Sequence, residues 1–373
     1  MDPDTKLVAG VTGKTCEVVT ANNEISVGLH KRLKLKLLIL LASLGLSLGI
    51  GEIALRLAGR RWAPSYPLVC KRPELYQQFE PYGYRLYPSI STYYFYPRNN
   101  PRKLSVVSNS DGFRSSREFI EIDDRLRMLV LGDSFVFGEG VEESERFTNS
   151  IEAMQPTWRI DNLGMTGYSP GLMLRALEEV GLRLNPDVVV LCIYTDDFRR
   201  VRPRYPGIGY EIPRYKLVSN RLVSVPYPKI RPWDHSRFFQ GICHTYWSRT
   251  GAEFQLNRAI LDRFLTLGKI YEFNLAIIFL PGTHDTKADK RRRAWLLQYT
   301  HEYEVPFLDL SETIHKAAIK QELFIPGNPH WNPEGHRVAA IEIDRFLASD
   351  VVKVRRPTES SRIENSEISL AIN

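Results

Sequence analysis

The run 187–194, DVVVLCIY, constrains the fold of this chain more than any other segment. Its side chains are apolar at consecutive positions, so it cannot present one polar face to water as an alternating strand does. It is too short for a buried helix and suits a strand covered on both faces, in the middle of a parallel sheet. Other segments repeat the theme. Residues 127–131 and 158–162 read as short buried strands, and 274–280 (NLAIIFL) and 305–308 as two more. Between or after them lie stretches with apolar residues at helical spacing, at 145–154, 171–184, 256–271, 290–303 and 334–348. Strands alternating with helices predict an α/β fold, a three-layer α/β/α sandwich around a mainly parallel five-stranded sheet with right-handed crossovers.

The N-terminal part reads differently. The basic cluster Lys31, Arg32, Lys34 and Lys36 is followed by an uncharged, leucine-rich stretch from Leu37 to Gly51. Extended through Glu52 and Arg56 to Ala58, it reaches the ~20 residues that a membrane span requires. Glu52 and Arg56 stand four apart and can pair on one helix face, while Lys34 and Lys36 can snorkel. No polar face marks a buried amphipathic helix. A cleaved signal peptide is the competing reading; the long extension before the span and the missing small-x-small site favour an uncleaved anchor. The basic cluster ahead of the span favours a cytoplasmic N-terminus, which makes this a single-pass membrane protein with its main domain extracytoplasmic, in a periplasm or at a cell surface. The expected organisation is a disordered segment at 1–32, a transmembrane anchor at 33–58 and an irregular, tyrosine- and proline-rich neck at 59–125 whose short strands pack onto the domain. The α/β domain follows at 126–350, with a polar tail at 351–373. Within the domain, 198–255 is an insertion dense in arginine, proline and aromatic residues, a candidate cap over a site.

The net charge of +7 fits juxtamembrane lysines and arginines on a solvated surface. Zinc-finger spacing, RNP-like aromatics and a basic dimer helix are all absent, so nucleic acid is not an expected partner. The four cysteines form no CxxC pair, and His, Asp and Glu do not cluster at ligand spacing, so neither a metal nor a cofactor is expected. GxGxxG after a strand and GxxxxGK[ST] are missing too. Cys192 lies inside the apolar run, as a small core residue does. Cys70 and Cys243 could pair in an oxidising compartment.

The chemical signal is Leu131-Gly132-Asp133-Ser134-Phe135. It puts a serine just beyond a buried strand, where open parallel sheets hold their ligands, with N–H groups of the following helix behind it. A serine hydroxyl needs a base. The candidate is His330, in the loop Pro326-Gly327-Asn328-Pro329-His330-Trp331-Asn332-Pro333 before the last helix, which can fold back onto the end of the first strand. His336, within that helix, reads as a structural hydrogen-bonding residue.

With these blocks in order, the chain resembles the SGNH hydrolase superfamily, the GDSL-type esterases and lipases, and in particular its bacterial membrane-anchored members. The resemblance spans roughly 80–348. It implies a flavodoxin-like sheet, Ser134 as nucleophile, His330 as base, and Gly167 in Asn162-Leu163-Gly164-Met165-Thr166-Gly167 as an oxyanion donor. Asp133 and Asp197 are possible supports.

Two positions depart from the family pattern. Asp196, in Thr195-Asp196-Asp197, stands where an asparagine amide donates to the oxyanion, so it would have to be protonated to serve there. Asn328 stands where an acid orients the histidine; its carbonyl can orient an imidazole but cannot stabilise imidazolium by charge. Compensation by Asp196 or Asp197 reaching the imidazole is the corresponding expectation. The resemblance implies a serine esterase or O-acyltransferase for ester-linked acyl groups, acetyl foremost, of a carbohydrate or lipid. The alternative is a catalytically impaired relative that binds glycan or protein through the aromatic insertion.

Overall fold

The computed structural model describes residues 12–59, 71–97, 101–120, 124–202 and 208–352, with side chains from His30 onward. Two compact units divide the chain: residues 1–62 with 231–243, and residues 63–230 with 244–373.

The first unit is built on a helix, Thr12–Leu57. Its part His30–Leu57 is long and apolar enough to cross a membrane, with mean hydropathy 2.1 over its most apolar window and none of that window buried. The helix starts well ahead of the anchor expected at 33–58. Residues 12–32 are therefore helical rather than disordered, because extending an existing helix costs far less than nucleating one. Residues 231–243, expected within a cap, instead group with this helix.

The second unit holds the parallel sheet. Its strands are β1 (Leu126–Leu131), β2 (Trp158–Asn162), β3 (Val188–Tyr194), β4 (Asn274–Leu280) and β5 (Phe307–Asp309). They lie in the order β5-β4-β3-β1-β2, all parallel. This is the doubly wound order 2-1-3-4-5, whose chain reverses direction between β1 and β3.

Alternate residues of the strands feed two separate cores. Leu129, Leu131, Val189, Leu191, Ile277 and Phe279 join the helices Pro170–Ala176 and Ala252–Ile270 on one face. Met128, Val130, Val190, Cys192, Ile278 and Leu280 join Phe147–Met154, Ser311–Ala318 and Pro333–Phe346 on the other. The sheet is covered on both sides, which is why DVVVLCIY carries no polar alternation. The helix expected at 171–184 is broken into α, π and 3-10 turns.

The neck expected at 59–125 carries the short strands packed onto the domain that its sequence implied. Its described part forms two antiparallel hairpins, Tyr76–Phe79 with Gly83–Leu86 and Ser91–Tyr96 with Arg102–Val107. Tyr76, Tyr82, Tyr84 and Tyr94 are buried in the same core as the sheet. Aromatic rings bury large apolar areas, and here that drives the segment onto the domain. Cys70 and most of the tail lie outside the described residues; Cys243 is half-buried and Cys192 is buried.

Candidate active site

The turn after β1 carries Ser134. Asp133 caps the short helix Ser134–Phe137, its carboxylate accepting from the N–H of Phe135 at 3.0 Å. Ser134 is thus the first helical residue, and its N–H belongs to the helix-start groups that the helix itself cannot satisfy. Gly132 cannot carry a Cβ, which would meet Val136 Cγ2 at 2.2 Å.

His330 is delivered by a closed loop. The N–H of Ile325 donates to the carbonyl of His330 at 2.9 Å, and the N–H of Asn328 to that of Ile325 at 2.9 Å. Asn332 then caps the last helix through the N–H of Gly335, with Pro333 in its first turn. The imidazole packs at a tilt against Phe135 and edge-on to Tyr96, with ring centroids 5.1 and 6.0 Å away.

The two ends of the domain meet here. Ser134 Oγ lies 2.7 Å from His330 Nε2. On the far side of the ring, Nδ1 lies 2.6 Å from Asn328 Oδ1. The backbone N–H of His330 also donates to that Oδ1, at 3.0 Å, which identifies the atom as the amide oxygen. The tautomer with Nδ1–H and a bare Nε2 follows, the form a general base needs. The amide nitrogen of Asn328 donates to the Tyr96 hydroxyl at 2.6 Å, and that hydroxyl stands 2.9 Å from His330 Nδ1.

Burial lowers the imidazole below its ordinary pKa; the charges of Glu139 and Asp133 pull it back up, and Arg200 and Arg72 push it down. The carboxylates felt by the imidazole are therefore Glu139 and Asp133. Asp196 and Asp197 do not take up the expected compensating place beside it. Asp196 instead forms an ion pair with Arg199, three residues on, at 2.7 Å. Asp197 is buried, accepts from the N–H of Tyr194 and pairs with Arg200. Burial and the neighbouring Asp133 charge push its carboxyl well above the usual range. Arg200 bridges it to Asp133, 2.8 Å away, and so braces the turn before Ser134.

Gly167 sits at φ +83°, a left-handed conformation; an added Cβ there would stand 2.8 Å from Ile208 Cγ2 and 3.1 Å from the Tyr84 hydroxyl. Ile208, from the insertion, thus lies against Gly167. His336 is buried, with the N–H of Phe147 directed at its Nδ1 at 3.3 Å.

Two residues of the site escaped the sequence reading. Glu139 is buried, bound by Arg72 and by the Thr166 hydroxyl. Burial works to raise its carboxyl, but Arg72 outweighs it and leaves the group below its ordinary value. Its signal was Gly138-Glu139-Gly140, a charge between two glycines, both at positive φ. Tyr96 comes from a hairpin far from the other blocks, and its spacing marked nothing. No group of three or more His, Cys, Asp or Glu side chains arranged to hold a metal occurs among the described residues.

The sequence matches no known protein-family description and no curated protein. Among solved structures it is similar to a member of the lipolytic protein G-D-S-L family from Veillonella parvula, at 14% identity, covering 61% of this chain and 99% of that one with a TM-score of 0.39. It is also similar to a catalytic mutant of Axe2, an acetylxylan esterase from Geobacillus stearothermophilus, at 14% identity, covering 63% and 100% with a TM-score of 0.40. The strand order carries the fold assignment on its own: the chain has the doubly wound α/β/α architecture that its resemblance to the SGNH hydrolases implied.

Proposed function

We propose that this chain is a serine esterase or O-acyltransferase of the SGNH type, acting on ester-linked acyl groups, acetyl foremost, of a carbohydrate or lipid. The supporting observation is the hydroxyl-to-imidazole contact of 2.7 Å between Ser134 and His330, with the imidazole oriented from behind by Asn328. In this reading Ser134 Oγ attacks the acyl carbonyl while its proton passes to His330 Nε2. The N–H groups of Ser134 and Gly167 receive the oxyanion. The C–O bond to the alcohol then breaks, and the imidazolium returns the proton to the departing oxygen. Water or a sugar hydroxyl, deprotonated by the same imidazole, releases the acyl group from Ser134. Water makes the enzyme an esterase; an acceptor hydroxyl makes it a transferase. The anchor would hold this chemistry on the outer side of a membrane, a placement that a C-terminal topology reporter tests.

The full-length protein in detergent should react with a fluorophosphonate at Ser134 and hydrolyse 4-nitrophenyl acetate. Ser134→Ala should abolish labelling and lower turnover by about 10³-fold or more. An unlabelled wild type, beside a reactive SGNH control, would shift the reading to a glycan- or protein-binding module. Asp196 paired to Arg199 is the observation that favours this second reading.

A further inference from the structure

Within the first unit, the segment after Ile230 is inside-out for a water-facing surface. Asp234 and Gln240 are buried, whereas Trp233, Phe238 and Ile242 are 48%, 42% and 54% exposed. The polar pair is bonded within the segment: Gln240 donates to the carbonyl of Asp234 at 2.8 Å, and Asp234 Oδ2 accepts from the N–H of Arg231 at 2.8 Å. Phe238 and Ile242 are four residues apart in the helix Arg237–Arg249, so they share one face. Arg231 lies over the Trp233 ring, and Arg237 flanks Phe238.

The same segment is tied to the apolar helix at one defined level. Glu52 accepts from the N–H groups of Arg237 and Phe238 at 2.9 and 3.0 Å and from the Ser236 hydroxyl at 2.9 Å. Arg56, paired with Glu52, donates to the carbonyl of His235 at 2.9 Å. A helix start supplies the unpaired N–H groups that a carboxylate satisfies. Glu52 and Arg56 are the first charges after the uncharged stretch from Leu37 to Gly51. Charged side chains mark the water–lipid boundary of a span, so this level is that boundary.

We propose that Trp233, Phe238 and Ile242 form an interfacial membrane contact, dipping into the headgroup and upper acyl region beside the anchor, with Arg231 and Arg237 toward the phosphates. Three observations commit the surface to lipid: its continuity with the span, its aromatic-and-arginine composition, and the inward turn of its polar residues. The inference rests on the reading that His30–Leu57 spans a bilayer. Two functions follow for Glu52: it caps the helix and fixes the height at which that helix starts.

The test uses the full chain, with Cys16, Cys70, Cys192 and Cys243 replaced by serine or alanine and a single bimane-labelled cysteine at Ile242, Leu44 or Lys320. The protein is reconstituted in phosphatidylcholine–phosphatidylglycerol vesicles. Quenchers are a lipid with a nitroxide high on its acyl chain and, separately, aqueous iodide. The Ile242→Cys label should lose most of its intensity to the lipid nitroxide and little to iodide, and the Lys320→Cys label the reverse. Iodide quenching at 242 without lipid quenching would overturn the contact, as would protection from both, which would mean that a second protein copy covers the face. The Leu44→Cys label separates the two readings. Lipid quenching at 44 but not at 242 removes the interfacial contact alone, and no lipid quenching at 44 removes the span and the contact with it.

Discussion

Asn328 holds His330 by two bonds from one oxygen: its Oδ1 takes the imidazole Nδ1–H at 2.6 Å and the backbone N–H of the same residue at 3.0 Å. An amide placed this way sets the tautomer as firmly as a carboxylate would. It contributes no charge against the imidazolium formed during attack, and that is the one part of the acid's role it leaves open.

Restoring the charge should therefore help the chemistry. In Asn328→Asp the carboxylate takes the same Nδ1–H, and the Tyr96 hydroxyl can turn to donate to it. The acid limb of kcat/KM should move to higher pH and kcat should rise roughly tenfold. The pH–rate profile with an activated acetyl ester measures both, and a lower kcat at every pH would contradict the account.

Glu139 should act on the same proton from a distance. Its charge favours imidazolium, so Glu139→Gln should move the acid limb to lower pH, and the unpaired Arg72 pushes in the same direction. A drop in kcat of about tenfold should accompany the shift, because the imidazolium is then less stabilised. An unmoved limb with normal folding would show that Glu139 only holds the Gly138–Gly140 turn.

At the oxyanion side, Asp196→Asn supplies the amide donor that the SGNH pattern places there. If the acyl carbonyl occupies this site, kcat should increase about 10–10²-fold while KM changes little. Steady-state kinetics on 4-nitrophenyl acetate decide it; an unchanged kcat would mean that Ser134 and Gly167 complete the hole without that position.

His336 predicts the acid stability of the fold. Burial and the nearby Arg146 lower its pKa from 6.5 to about 3, so it stays neutral in the native state. As pH falls below 6.5 the unfolded chain gains a proton that the native chain does not. Stability from this residue is thus present above pH 6.5 and lost toward pH 3, at about 1.4 kcal/mol per unit. His336→Gln keeps an acceptor for the N–H of Phe147 and removes the titration. Chemical unfolding in detergent between pH 4 and 7 should show a shallower decline for the variant, and an identical slope would assign the acid sensitivity elsewhere.

The parallel five-stranded sheet and the pairing of Ser134 with His330 were both legible in the sequence, for a common reason. Apolar runs such as 187–194 can be stable only inside a doubly covered sheet, and that sheet puts the turn after its first strand and the loop before its last helix on the same edge. The hydroxyl, the base and the orienting amide each sit in short blocks whose local chemistry marks them: a capped turn, a Pro/Gly-closed loop, a helix start. Tertiary structure alone decided where the charges act. Asp133 meets Arg200 and Glu139 meets Arg72, each 67 residues away in sequence, because a buried carboxylate goes to the nearest guanidinium and sequence distance says nothing of which one that is. The helix that starts at Arg237 escaped the sequence reading for the same reason: capping by a distant Glu52 is a property of the folded chain, which no local pattern carries.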